Sequence, residues 1–228
     1  MDVEKNEKKT FSEKLSALLL KYRIIILSLV GLLILCAVGL GVFYAVKNSI
    51  DKKNFAFLDE LTFSLDQSKA TLTEDMLLAK YDSIKEKITE FTSKTKTGAP
   101  AARAFMILAS IEFENKNYTG SKDAWISAQE ANKKAYTAPI SLYNAAVCCE
   151  EIGEIDKALE YYRLAVEADN FSLKPHALFN MGRLYSESGK YEDAQKMFQS
   201  IIDKFPNDNW ADLAKSNLIS LSAEGLIQ

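Results

Sequence analysis

The chain has one histidine and three cysteines among 228 residues, so nucleophilic or metal chemistry has few places to stand. His176 follows Pro175 and has no second histidine or nearby cysteine to complete a metal site or a nucleophile–base pair; it is read as a groove or surface residue. Cys148 and Cys149 are adjacent, so a helix points them in different directions, and they lack the two-residue gap of a redox pair. They are read as small packing residues. Glu150-Glu151 and Glu192-Asp193 are carboxylate pairs with no histidine or basic group arranged around them, and are read as solvated faces. Of nine glycines, Gly31, Gly39 and Gly41 lie in an apolar run and Gly153 and Gly189 at turns, which leaves no phosphate-cradling loop. Asn117-Tyr118-Thr119 and Asn170-Phe171-Ser172 match the N-glycosylation acceptor pattern, which matters only in a host that glycosylates. These residues point to a non-enzyme with no cofactor, no metal and no small-molecule substrate.

Charge is distributed unevenly. Residues 1–53 carry nine Lys/Arg against five Asp/Glu, a formal +4, and the rest of the chain 19 against 26, a formal −7. No basic stripe tracks a phosphate backbone, so nucleic acid is not an expected partner. Residues 24–46 contain no charge across 23 positions. At about 1.5 Å per residue a helix of that length spans about 34 Å, which covers a bilayer core. The run is longer than the apolar core of a cleaved signal peptide, and Leu35 stands where a lipidated Cys36 would want a small residue before it. Six basic residues precede the run (Lys5, Lys8, Lys9, Lys14, Lys21, Arg23) and three follow it closely (Lys47, Lys52, Lys53). The positive-inside rule then puts the N-terminus in the cytoplasm and the remainder across the membrane. Two cysteines in an oxidising compartment count against that orientation. The stretch FSEKLSALLLKY before the span either lies on the inner leaflet or extends the helix.

The elements beyond the span show a repeat. Residues 180–206 read as two amphipathic helices joined at Ser188-Gly189-Lys190, with Gly182-x2-Tyr185, Tyr191 and Ala194-x3-Phe198 as packing residues and Pro206 as the stop. One unit upstream, Pro139, Gly153 and Ala158-x3-Tyr162 repeat the pattern; Pro139 to Pro175 and Gly153 to Gly189 are both steps of 36. A period near 34 with these residues is the tetratricopeptide signature, and residues 139–206 resemble that family. The upstream copy departs from it, with Ala146 for the glycine and Cys149 for the tyrosine. A weaker third copy lies over residues 101–131, where Leu108-Ala109 align with Met181-Gly182, Tyr118 with Tyr191 and Trp125 with Phe198, while Lys116 replaces the turn glycine and Ser121 the packing alanine. Trp210, Leu213, Ala214, Leu218 and Leu221 form the stripe of a C-terminal capping helix. Upstream, a helix over residues 73–91 follows a capping box, Thr71-x-x-Glu74.

The expected fold is all-α: a single N-terminal transmembrane helix followed by a tetratricopeptide-like α-solenoid of helical hairpins with a C-terminal cap. Its plan is a basic cytoplasmic tail (1–23), the span (24–46), N-terminal helices of the soluble domain (47–100), a weak repeat (101–138), two repeats (139–172 and 173–206) and a cap with tail (207–228). In this family the first helix of each repeat lines a concave face. Carried over, the resemblance implies a partner-binding groove of Met106, Phe113, Tyr143, Val147, His176, Phe179 and Arg183, with Ser110, Glu150 and Ser186 beside them. The other open reading is that Tyr143 and Phe179 pack against the N-terminal helices and leave no groove. Asn144, Asn180 and Arg183 hint at the family's carboxylate clamp, but its lysine pattern is absent.

The layout, the repeats and the small-residue helix around residues 101–109 are similar to the YfgM-type ancillary Sec translocon subunits. That resemblance implies a single-pass protein of the bacterial inner membrane, its repeats in the periplasm. It also implies translocon subunits, a periplasmic chaperone or unfolded polypeptide segments as partners. Two alternatives stay open: an envelope scaffold for cell-wall or outer-membrane assembly complexes, and a cytoplasm-facing adaptor of inverted topology.

Overall fold

The computed structural model describes residues 11–228; Lys5, Lys8 and Lys9, on which part of the charge argument rests, lie outside the described residues. Nine helices and no strand occur among the described residues: α1 (Phe11–Thr71), α2 (Glu74–Lys94), α3 (Ala99–Glu114), α4 (Tyr118–Ala131), α5 (Thr137–Glu151), α6 (Ile155–Glu167), α7 (Lys174–Glu187), α8 (Tyr191–Lys204) and α9 (Asn209–Ala223). Two units result, Met1–Asn54 and Phe55–Gln228, and α1 contributes to both.

In the first unit α1 is apolar around its circumference. Leu27, Leu33, Leu35, Leu40 and Tyr44 are all exposed, and a Cβ added to Gly31, Gly39 or Gly41 would meet no atom within 4 Å. It is one long apolar helix near the N-terminus.

The second unit is a stack of helical hairpins. Residues 55–71 of α1 pack with α2 and α3 through Leu58, Leu61, Leu65, Ile84, Ile88 and Ile111. Phe57 stacks on Phe91 at 5.5 Å. Glu114 accepts from both Lys69 and Tyr81, and desolvation together with Glu114 pushes the Tyr81 hydroxyl up to about 12. The capping box is corrected here: Thr71 is the last residue of α1 and donates its hydroxyl to Gln67 O, while Thr73 caps α2 without a side-chain bond.

From α3 on, the hairpins α3–α4, α5–α6 and α7–α8 turn the same way. Gly153 (φ 77°), Gly189 (φ 71°) and Lys116 (φ 60°) are left-handed at one equivalent position. Each turn is closed by the same backbone bond, at 2.8 Å: Asn117 N to Glu112 O, Glu154 N to Cys149 O, and Lys190 N to Tyr185 O. This is the glycine-type helix stop that satisfies the last carbonyls. Inside the hairpins the small residues do the packing. Gly182 faces the Phe198 ring, Ala146 and Ala158 are fully buried, and Ser121 stands in for alanine by donating its hydroxyl to Ala109 O at 2.8 Å. The helix α9 ends with the same turn again, at Gly225 (φ 72°), closed by Leu226 N to Leu221 O at 2.9 Å. Of its expected stripe, Ala214 and Leu221 are buried, whereas Leu213 falls to the side and is exposed.

Candidate partner groove

The first helices of the hairpins, α3, α5 and α7, carry the residues expected to line a groove, and they divide into an open group and a closed one. The open group lies on α3 and α5. Ser110, Phe113, Asn144 and Val147, with Trp125 behind and Glu114 at the edge, surround a pocket of about 240 Å³. Phe113 is 36% exposed and is steadied by an edge-on contact with Tyr118 at 5.2 Å. Met106 is half-buried against Ala109, Ala124 and Trp125, so it supports the pocket from below. The Asn144 side chain spends its N–H on Ile140 O, which leaves its carbonyl for an incoming donor.

The closed group lies on α5 and α7. Tyr143 is only 7% exposed, and its hydroxyl is within hydrogen-bond distance of the His176 ring, 3.0 Å from Nδ1. Asn180 donates to the hydroxyls of Tyr143 and Tyr162, at 3.3 and 3.0 Å. Tyr162 donates onward to Glu150 at 2.5 Å, and Arg183 pairs with both Glu150 and Glu187. The His176 ring lies flat on Trp210 of α9, centroids 4.0 Å apart and 15° from parallel. Phe179 packs on Trp210 and Phe198. Tyr143 is therefore buried and Phe179 half-buried, by later elements of the chain and not by the N-terminal helices.

Electrostatics follow from this burial. Desolvation holds the His176 pKa below its ordinary value despite the pull of Glu150, which favours the neutral imidazole. Desolvation and the neighbouring Glu150 push the Tyr162 hydroxyl upward. Burial works against the Arg183 charge, but Glu150 and Glu187 more than offset it and raise its pKa. Glu150 corrects an expectation: its side chain is 16% exposed and is the centre of this network, not part of a solvated face. The physical reason is that Arg183 and Tyr162 converge on it from two neighbouring helices, a partnership invisible within α5 alone. Tyr162 joins this network through Glu150 and Asn180, and Trp210 stacks on it through His176, contacts that pattern reading did not foresee.

Cys148 and Cys149 are fully buried, and desolvation pushes the Cys149 thiol up to about 11, which suppresses the thiolate. No group of three metal-binding side chains occurs among the described residues. The Asn117 side chain accepts from Gly120 N and donates to Glu112, so this acceptor-pattern residue caps α4.

Tetratricopeptide repeat profiles match residues 140–171 and 176–208. Both segments are similar to tetratricopeptide repeats. A TPR repeat-containing protein of Treponema pallidum (strain Nichols) is 32% identical over 152 residues, covering 67% of this chain and 61% of that protein. In fold, the chain is similar to a crystal structure of a tetratricopeptide repeat protein from Parabacteroides merdae ATCC 43184, with a TM-score of 0.55 and 20% identity over 73% of this chain and 60% of that one. The chain thus spans about three-fifths of the length of both relatives. The hairpin α3–α4 lies outside the two matched segments yet shares their turn, and it supplies Phe113 and Trp125 to the open pocket.

Proposed function

We propose that this chain is a membrane-anchored tetratricopeptide interaction protein that takes an apolar side chain of a protein partner into the pocket between α3 and α5. The observation that carries the reading is the half-open Phe113–Val147 pocket, apolar at its floor with Asn144 and Ser110 positioned for hydrogen bonds. The helix run 24–46 is the proposed anchor, and its role is tethering: confinement beside a membrane raises the effective concentration of the groove for membrane-bound partners. His176, Phe179 and Arg183 act in this reading as the wall that holds the groove's shape, because their contacts are already taken. The resemblance to YfgM-type subunits extends the proposal to a periplasmic position beside the Sec translocon, serving emerging secreted or envelope proteins with a periplasmic chaperone.

Two measurements test it. A photo-crosslinking residue at Ser110, which is exposed beside the pocket, is expected to capture translocon subunits or translocating chains, and Phe113→Ala with Val147→Asp is expected to abolish the capture without unfolding the domain. Capture that survives the double substitution would sink the groove reading. Protease added to intact spheroplasts is expected to digest the chain beyond Lys53. Protection until lysis would place the repeats in the cytoplasm and replace the secretion role with that of a cytoplasmic adaptor.

A further inference from the structure

A second recess lies on a face that shares no residue with the α3–α5 pocket. It consists of two adjoining hollows of about 500 and 430 Å³ that have Glu130 in common. The smaller is floored by Phe105 and Ala131, the larger by Ile126, Leu142, Tyr161 and Leu164. The junction between them is held firmly, since Gly98 N donates to Ala131 O at 2.7 Å and ties the loop before α3 to the end of α4. Lys96 stands at the smaller hollow and Lys133 at the larger, so the charges run positive, negative, positive along the recess. Lys96, Glu130 and Lys133 are all exposed, and among the described residues none of the three has an ion-pair partner. Two apolar hollows separated by a carboxylate and bounded by ammonium groups have a definite complement.

We infer that this recess is a second docking surface for an amphipathic segment of a partner protein, one with two apolar anchors, a basic residue between them and an acidic residue at each end. The anchors fill the two hollows, the central cation meets Glu130, and the terminal carboxylates meet Lys96 and Lys133. Opposite charge in this order fixes register and direction more than it adds affinity, and a segment with the signs exchanged meets like charge at all three points. The inference does not rest on the groove reading, since the two surfaces are lined by different residues.

The test uses the full chain in detergent micelles and two fluorescent helical peptides of identical length and identical leucine anchors. One has aspartates at its ends and a lysine between its leucine anchors; the other has lysines at its ends and an aspartate between them. The first is expected to bind about tenfold more tightly at low salt, with the preference fading as salt is added. In the variant Lys96→Glu/Glu130→Lys/Lys133→Glu the preference is expected to invert, and in Val147→Asp it is expected to persist. All three exchanged side chains are exposed, so the fold is not at stake. Equal binding of the two peptides, or a preference that survives the triple exchange, overturns the proposal. A preference lost in Val147→Asp also overturns it, because the peptide then sits in the α3–α5 groove and only that reading stands.

Discussion

Phe198 explains why residue 182 is glycine. A Cβ at that position would lie 2.6 Å from a carbon of the Phe198 ring, and the ring is fully buried with nowhere to retreat. Gly182→Ala is expected to destabilise the domain by about 1–3 kcal/mol through overpacking, read as a lower urea midpoint with unchanged slope. Lys116 poses the opposite case, a side chain held at φ 60° where its counterparts are glycine. Lys116→Gly is expected to stabilise by about 1 kcal/mol, because it removes the left-handed penalty at a turn the backbone already makes. His176 gives a pH dependence whose sign is fixed by burial. Its folded pKa is below the unfolded value, so the unfolded chain takes up the proton first and this contribution to stability is present at neutral pH and lost on acidification. From neutrality down through the ordinary histidine range of about 6.5 and below, the melting temperature of the parent chain is expected to fall more steeply than that of His176→Gln. Identical slopes would mean that His176 titrates alike in both states.

At the scale of elements, α9 behaves as the first helix of a further hairpin whose outer face has been made polar. It ends in the same left-handed turn as α3, α5 and α7, yet Ser220 is exposed where Ile111, Cys148 and Leu184 are buried at the equivalent position. Trp210 is what it offers inward, flat on His176 and against Phe179. Trp210→Ala is expected to cost about 3 kcal/mol and to loosen α7, seen as faster amide exchange in α7 than in α5. The hairpins were legible in the sequence because glycine, alanine and aromatic residues recur at 36-residue steps. The turn at Gly225 carries the same signal, one further step beyond Gly189, but the recognisable motif needs a second helix after the turn, and here Leu226 and Ile227 fold back onto the last hairpin instead. The placement of the expected lining residues was half legible. Phe113 and Val147 line an open pocket, whereas Tyr143 is buried and Phe179 half-buried, because what packs on them is set by long-range contacts with α6, α8 and α9 that no local spacing encodes.

At the scale of the whole molecule, the segment Phe55–Gln228 holds its own apolar clusters, from Leu58 on α1 to Leu221 on α9. Expressed alone it is expected to unfold as a cooperative helical domain by circular dichroism, and a broad, non-cooperative melt would show that residues before it are needed. The equal turns described above also bear on how such a chain changes over time. Because each hairpin turn is closed by the same backbone bond, from an N–H to the carbonyl five residues earlier, a stretch of coding sequence running from Gly153 to Gly189 is a cassette: copied in tandem or excised, it is expected to keep the turn on both flanks. Length is then a heritable variable separable from foldability, and a lineage can lengthen or shorten its reach without reinventing a core.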